Sequence, residues 1–388
     1  MRDLILNKKI ETDRKIFIEV EGYIDTKSAP DFGDFIIKIH DENPTKKLII
    51  DFANVEMITS AGIRQLLLFE KKNYNYELIN IKTEVSTVLD LTGMSDILKL
   101  EDKVLSINVD NCEVLGKGFS SCVYKIDNDR IAKVYYKVKN IDQPIRERMI
   151  AKQAFVKGVP TEICYCLCEA KGMPGLIYEL VDAKTLIAVF AEDITNIDKY
   201  IKDYVKLVKE MHTFNGDGIT GIYNEKERIG ECIEAVNEKL SPEYIEKLKK
   251  VYDAVEDKNI LLHGDAHPAN VMLTDRGMLF IDLSEMSVGD ELFDLMYLYR
   301  TFMLFSLIST DNYALNRQQE EYLWNAFSNE YYKDVEESEK QRQLYIIRVL
   351  AIVSIVARFI KRRENADTLE MFINMLKKEL DDINSYLN

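Results

Sequence analysis

Positive charge is what this 388-residue chain most lacks: 51 lysines and arginines stand against 66 aspartates and glutamates, for a formal net charge of −15. Such a field repels phosphate backbones and acidic bilayer surfaces, which excludes nucleic acid as a general partner. A span-length apolar run is missing too. The longest, Val349 to Ala357, is about half of what a membrane crossing needs and is bracketed by Arg348 and Arg358, so no membrane insertion is expected. The opening MRDLILNKKIETDRK lacks the apolar core of a secretory leader, and a cytoplasmic, bacterial-type protein is expected. No repeat or low-complexity segment is present. The six cysteines lack the CxxC spacing of a zinc site. In EICYCLCEA, Cys164, Cys166 and Cys168 recur at period two, which would set three sulfurs on one face of a strand. Buried, reduced thiols are expected there, with redox sensing as the other reading.

Among what is there, 47% apolar and 30% charged residues make an ordinary globular composition, and the length exceeds what one core fills, so two or three domains are expected. The first hundred residues alternate strand and helix patterns. KIFIEVEGYID, KKLIIDFANV and YELINIK read as strands; APDFGDFIIKIHDEN, with Pro30 near its start, SAGIRQLLLFEKKN, capped at Ser60, and EVSTVLDLTGMSDIL read as helices. That alternation points to a small α/β domain with helices packed on a sheet. After the connector LEDKVLSINVDNCE, the stretch LGKGFSSCVYKIDNDRIAKVYYK reads as a hairpin turning at Asn128 and Asp129. A helix around Gln143 to Val156 and the strand GLIYELV follow. Beyond Thr185 the pattern is mostly helical, and the domain boundary falls between Leu105 and Asn111.

One polar interruption inside apolar surroundings carries chemistry: ILLHGDAHPANVML, from Ile260. Alone, HGD reads as a turn or as half of a metal site made by His263, Asp265 and His267. Twelve residues past Asn270, however, Asp282 ends the strand MLFID. A carboxylate and an amide five residues apart, with a second carboxylate on the next strand, suit phosphoryl transfer from a nucleotide. That reaction needs one carboxylate to orient the attacking hydroxyl and hard oxygen ligands to hold Mg²⁺ against the phosphates. Asp265 is then the base, and Asn270 and Asp282 the metal ligands. His263 and His267 are expected to brace the loop, a metal-binding role being the alternative. Asp290 and Asp294 read as a helix cap and a dipole-facing acid, or as substrate contacts.

The phosphates also need a cradle and a cation. Gly116 and Gly118 in LGKGFSSCV stand at a strand-turn-strand point where missing side chains admit phosphate oxygens to backbone N–H groups. Lys133 in RIAKVYY falls on the adjoining strand, and Glu147 on the following helix is the carboxylate placed to hold it. Ser121 stands where a GxGxxG loop has its third glycine.

In LGKGFSSCVY, IAKVYY, RERMIAKQAFVKGVPTE, LIYELVDAKTL, HGDAHPANVML and FIDLSEMSVGDELFD the chain resembles the aminoglycoside phosphotransferase and choline kinase-like superfamily, relatives of protein kinases. The resemblance implies an α+β two-lobed kinase fold over residues 107–388, with a small lobe at about 107–182 and a helical large lobe at about 183–388. It makes Lys133 the phosphate lysine, Glu147 its partner, Asp265 the catalytic aspartate, and Asn270 and Asp282 the Mg²⁺ ligands. It also makes Glu179 and Val181 hinge positions whose backbone meets adenine. Residues 1–106, through VEGYIDTKSAPDF, KKLIIDFANVEMITSAGIRQLL and EVSTVLDLTGMSDILKL, resemble STAS domains, the fold of anti-sigma factor antagonists. In that family a serine after the central strand accepts phosphate. Ser60 matches it, although Thr59 replaces the family's aspartate, and the bland alternative is a helix cap. The function expected is an ATP- and Mg²⁺-dependent phosphotransferase acting on a small-molecule hydroxyl, with the STAS domain as regulatory or docking module and a STAS-mediated protein partner. The alternatives are a regulatory kinase that phosphorylates Ser60 or a partner's serine, and a nucleotide-binding signalling scaffold.

Overall fold

The computed structural model describes residues 4–387 apart from 13, 92–93, 98–103, 119, 137–141, 182, 193–196, 276, 309–314 and 364. Two compact units emerge. The first comprises Met1–Arg148, Phe155–Lys157 and Ile163–Glu179; the second comprises Met149–Ala154, Gly158–Glu162 and Leu180–Asn388.

The first unit opens with β1 (Ile5–Glu11), β2 (Lys15–Ile24), α1 (Ala29–Glu42), β3 (Lys47–Ile58), α2 (Ser60–Lys71), β4 (Tyr76–Ile79), α3 (Thr83–Leu91) and α4 (Met94–Ile97). The sheet order is β1-β2-β3-β4, with β1 antiparallel to β2 and the remaining pairs parallel. Period two along β2 turns Ile16, Ile18, Val20 and Ile24 inward, where Phe32 and Ile36 of α1, Leu66 and Phe69 of α2, and Val85 and Leu89 of α3 close over them. This is the α/β domain expected from the sequence, with three differences. The polar, exposed edge strand β1 has no apolar alternation to reveal it. EVSTVLDLTGMSDIL forms two helices, α3 and α4, and Thr92 and Gly93 between them lie outside the described residues. Ser60 is not the cap of α2. Thr59 holds that position without a side-chain cap bond, and Ser60 is the exposed first residue of the helix.

A six-stranded sheet follows in the same unit, ordered β5-β9-β10-β8-β7-β6. Its strands are β5 (Leu105–Ser106), β6 (Val114–Lys117), β7 (Ser121–Lys125), β8 (Arg130–Tyr135), β9 (Cys164–Ala170) and β10 (Met173–Glu179), with α5 (Asp142–Lys157) between β8 and β9. The β7–β8 hairpin closes by the Ile126 N–H donating to Arg130 O at 3.0 Å, and the Asp127 carboxylate accepts from Asp129 N at 2.9 Å. The connector joins this sheet: Leu105 and Ser106 pair in parallel with Cys168 and Glu169 of β9. The three cysteines of β9 do not share one face. The register slips at Tyr165, so that Cys164 is paired with Tyr178 and Cys166 with Ile177; Cys166 and Cys168 face the small apolar core and Cys164 does not. All six cysteines are free thiols, and burial pushes the Cys168 thiol up to about 12.

The second unit is mostly helical. It runs β11 (Lys184–Thr185), α6 (Leu186–Glu192), α7 (Ile197–Met211), β12 (Tyr223–Asn224), α8 (Glu225–Asn237), α9 (Pro242–Asp253), β13 (Ile260–Leu262), β14 (Val271–Thr274), β15 (Gly277–Phe280) and β16 (Ser287–Gly289). It ends with α10 (Leu292–Tyr299), α11 (Arg317–Tyr331), α12 (Glu337–Arg362) and α13 (Ala366–Asp381). Helix α12 is long and apolar enough to cross a membrane, yet 72% of its apolar window is buried among the other helices, with Tyr345, Ile346, Val349, Ile352, Val353 and Val356 inside. Two three-stranded sheets, β11-β14-β15 and β12-β16-β13, frame the loop that contains Asp265.

Candidate active site

In the first unit, Lys133 points from β8 to α5, where its ammonium donates to Glu147 Oε1 at 2.8 Å. Both side chains are buried. Glu147 also accepts from Tyr178 OH at 2.7 Å and from Tyr135 OH. A carboxylate with three donors is fixed in place, and it fixes the lysine in turn. At the β6–β7 turn, a Cβ on Gly116 would meet open space, and one on Gly118 would reach only ordinary contact with Ser121 O at 3.6 Å. Neither glycine has positive φ, so their missing side chains leave room over the turn rather than serving a backbone conformation. Glu179 ends β10, and its N–H donates to Ile163 O at 2.9 Å.

In the second unit, Asp265 and Asn270 lie on the loop that leaves β13. Asp265 precedes the β14–β15 hairpin, and Asn270 borders it, at the end of the 3₁₀ turn Pro268–Asn270. Asn270 Nδ2 donates to Asp265 O at 2.9 Å and leans on its Oδ2 at 3.4 Å. The Ile281 N–H donates to Asn270 O at 3.0 Å, which brings Asp282 to the same end of the hairpin. Asp282 takes φ of +59°, uncommon for a residue with a side chain, and its carboxylate accepts from Ser284 N at 3.4 Å.

Both histidines are consumed in bracing this loop. His263 Nδ1 accepts from Asp265 N and Nε2 bonds Ile281 O, each at 3.2 Å. Burial holds the imidazole below its ordinary pKa, so it is neutral. His267 Nδ1 accepts from Ala269 N at 3.2 Å, and its Nε2 stands 3.4 Å from Asp265 Oδ2. Engaged ring nitrogens offer a metal no lone pair. Asp265 is pushed up by burial, but the charges and hydrogen bond around it, those of His267 first, together outweigh that, leaving the carboxyl below its usual range. Its side chain remains 38% exposed, open to a small molecule.

Two features escaped sequence reasoning. Asp294, read as a dipole-facing acid or a substrate contact, is fully buried and accepts from His263 N at 3.0 Å, Gly264 N at 2.7 Å and His212 Nε2 at 3.0 Å. It anchors the loop from α10. The signal was available, since an acid amid LFDLMYLY must find partners inside. Asp290 is not the cap of α10, a position Glu291 holds; one residue earlier, Asp290 accepts from Leu292 N at 3.0 Å and pairs with Lys258 at 3.0 Å. Tyr135 and Tyr178 gave no signal, because their contact with Glu147 depends on strand order.

Residues 111–326, more than half of the chain, match the phosphotransferase enzyme family, and residues 7–106 match the STAS domain. Among solved structures, the chain is similar to a GDP complex of wild-type aminoglycoside 2'-phosphotransferase IIIa at 16% identity, covering 75% of this chain and 97% of that one, with a TM-score of 0.47. A choline/ethanolamine kinase family protein from Mesorhizobium loti is 14% identical over 71% and 88%, with a TM-score of 0.46. Macrolide 2'-phosphotransferase from Brachybacterium faecium is 14% identical over 74% and 98%, with a TM-score of 0.45. With more than half its residues matching, the chain belongs to the phosphotransferase enzyme family and carries an N-terminal STAS domain.

Proposed function

We propose that the protein transfers the γ-phosphoryl group of ATP, in a Mg²⁺-dependent reaction, to a hydroxyl of a small molecule, and that its STAS domain is a regulatory or docking module for a protein partner. The observation that carries this is the closed Lys133–Glu147 ion pair, which kinase-type phosphoryl transfer requires for holding nucleotide phosphates. The turn at Gly116 and Gly118 covers the phosphates, and the backbone of Glu179 and Val181 meets the base. Asn270 Oδ1, the end of the amide not engaged by Asp265, and the Asp282 carboxylate are the protein oxygens that would hold Mg²⁺, an oxygen-seeking ion. When bound, the ion neutralises charge on the phosphates. Asp265 accepts the hydrogen bond of the acceptor hydroxyl and aims its lone pair at phosphorus. As the new O–P bond forms and the bond to the departing ADP breaks, the hydroxyl proton passes to the Asp265 carboxylate. A carboxyl of depressed pKa suits orientation more than early proton abstraction, which is what a loose transition state needs. Use of MgATP supports a cytoplasmic location.

Asp265→Asn should slow turnover about 10²- to 10⁴-fold while MgATP affinity is kept. Steady-state assays with hydroxylated metabolites, aminoglycosides and serine-bearing proteins as acceptors check this, and unchanged turnover removes Asp265 from the mechanism. A second reading, phosphorylation of Ser60, is favoured by its exposed position at the start of α2 and its freedom from the cap position. Mass spectrometry of the same reactions distinguishes it by phosphate on Ser60.

A further inference from the structure

We propose that Asp90 of the STAS domain is a positioning residue for the nucleotide site, acting through Arg148 to fix the helix whose Glu147 holds Lys133. The proposal rests on reading Lys133 as the phosphate lysine. Asp90 follows Leu89 on α3, so its side chain turns away from the core that Leu89 fills. It is nevertheless buried. Asp90 Oδ2 stands 3.4 Å from Arg148 Nη2, with side chains only 12% and 9% exposed, and Ser95 of α4 donates to Asp90 Oδ1.

Arg148 and Glu147 are neighbours on α5, separated by about 100° around the helix axis. One faces the STAS domain and the other faces Lys133. Rotation or sliding of α5 by about 1 Å would therefore break register with both, carrying the 2.8 Å lysine contact out of hydrogen-bond range. A buried ion pair adds little net stability, but stranding one partner is costly, so the pair ties the orientation of α5 to that of α3. The tie has support on either side: α3 also packs against β9, and β5, immediately after the STAS domain, pairs with that same strand. Helix α2, which begins at Ser60, packs on α4.

The test is MgATP affinity of the full-length protein, measured by calorimetry for wild type, Asp90→Asn, Arg148→Gln, Glu147→Gln and the Asp90→Asn/Glu147→Gln double variant, with circular dichroism reporting folding. Asp90→Asn and Arg148→Gln should each weaken binding about 5-fold or more. In the Glu147→Gln background, where Lys133 has already lost its holder, Asp90→Asn should add less than about 2-fold. Wild-type affinity in both single variants, or an Asp90 effect undiminished without Glu147, overturns the proposal. If Asp90→Asn unfolds the front domain, Arg148→Gln, outside that domain, decides alone. Wild-type protein that binds no MgATP overturns the nucleotide reading and this proposal with it, whereas binding that is indifferent to Asp90 and Arg148 overturns this proposal only.

Discussion

Glu320 on α11 is 2% exposed, its Oε1 has no hydrogen-bond partner among the described residues, and burial pushes its carboxyl up to about 7. A carboxyl whose folded-state pKa lies above its unfolded value contributes stability that is fully present below the unfolded pKa and is lost as pH rises through the folded one. The lobe that carries Glu320 should therefore lose roughly 3 kcal/mol between about pH 4.5 and pH 7 from this group alone. Glu320→Gln should flatten that slope in denaturant unfolding and leave the variant the more stable at pH 8. An unchanged slope would show that Glu320 stays charged and solvated. Asp294 has the opposite sign. Burial raises its pKa, but the His212 bond, the charge of that ring and the Gly264 N–H bond together outweigh this, so its contribution is present above the unfolded carboxylate range and fades as pH falls below it.

At the scale of elements, the loop after β13 is built around Gly264. Its φ is +77°, and a Cβ there would collide with the Glu285 carbonyl, because the loop lies directly against the segment that follows Asp282. Gly264→Ala should cost about 2–4 kcal/mol and abolish turnover, since left-handed strain and collision act together; a chemical denaturation midpoint equal to wild type would contradict the packing. The sequence made this loop visible because a polar run inside apolar strands has few structural excuses. Helices α1, α2, α5 and the hairpin β7–β8 were likewise legible, through period, proline and turn residues. What stayed hidden depends on register or tertiary approach. The slip at Tyr165 moves Cys164 out of phase, polar β1 reads as coil, and the tyrosines on Glu147 lie 12 and 31 residues away in sequence. Ser60 looked like a cap because serine favours that position, yet the chain leaves the strand one residue earlier, at Thr59.

At the scale of the whole molecule, periodicity gave a small α/β domain ahead of a mostly helical region, and the resemblance carried by the quoted motifs implied the STAS domain and the phosphotransferase that the family matches bear out. Their connection was not readable: nothing in LEDKVLSINVDNCE announces a strand, and β5 is only two residues long. That short strand has a consequence for modularity. With Ile107 N donating to Glu169 O at 2.9 Å, it shields the outer border of β9, a seven-residue strand that would otherwise end the sheet. A kinase portion begun at residue 108 would leave β9 with unpaired backbone groups, an invitation to self-association. Light scattering should find such a fragment associating where the intact chain does not, and a dispersed fragment would refute the shielding. The seam between the modules is thus itself a piece of sheet, and recombination there does not exchange whole parts: it removes a strand from one of them.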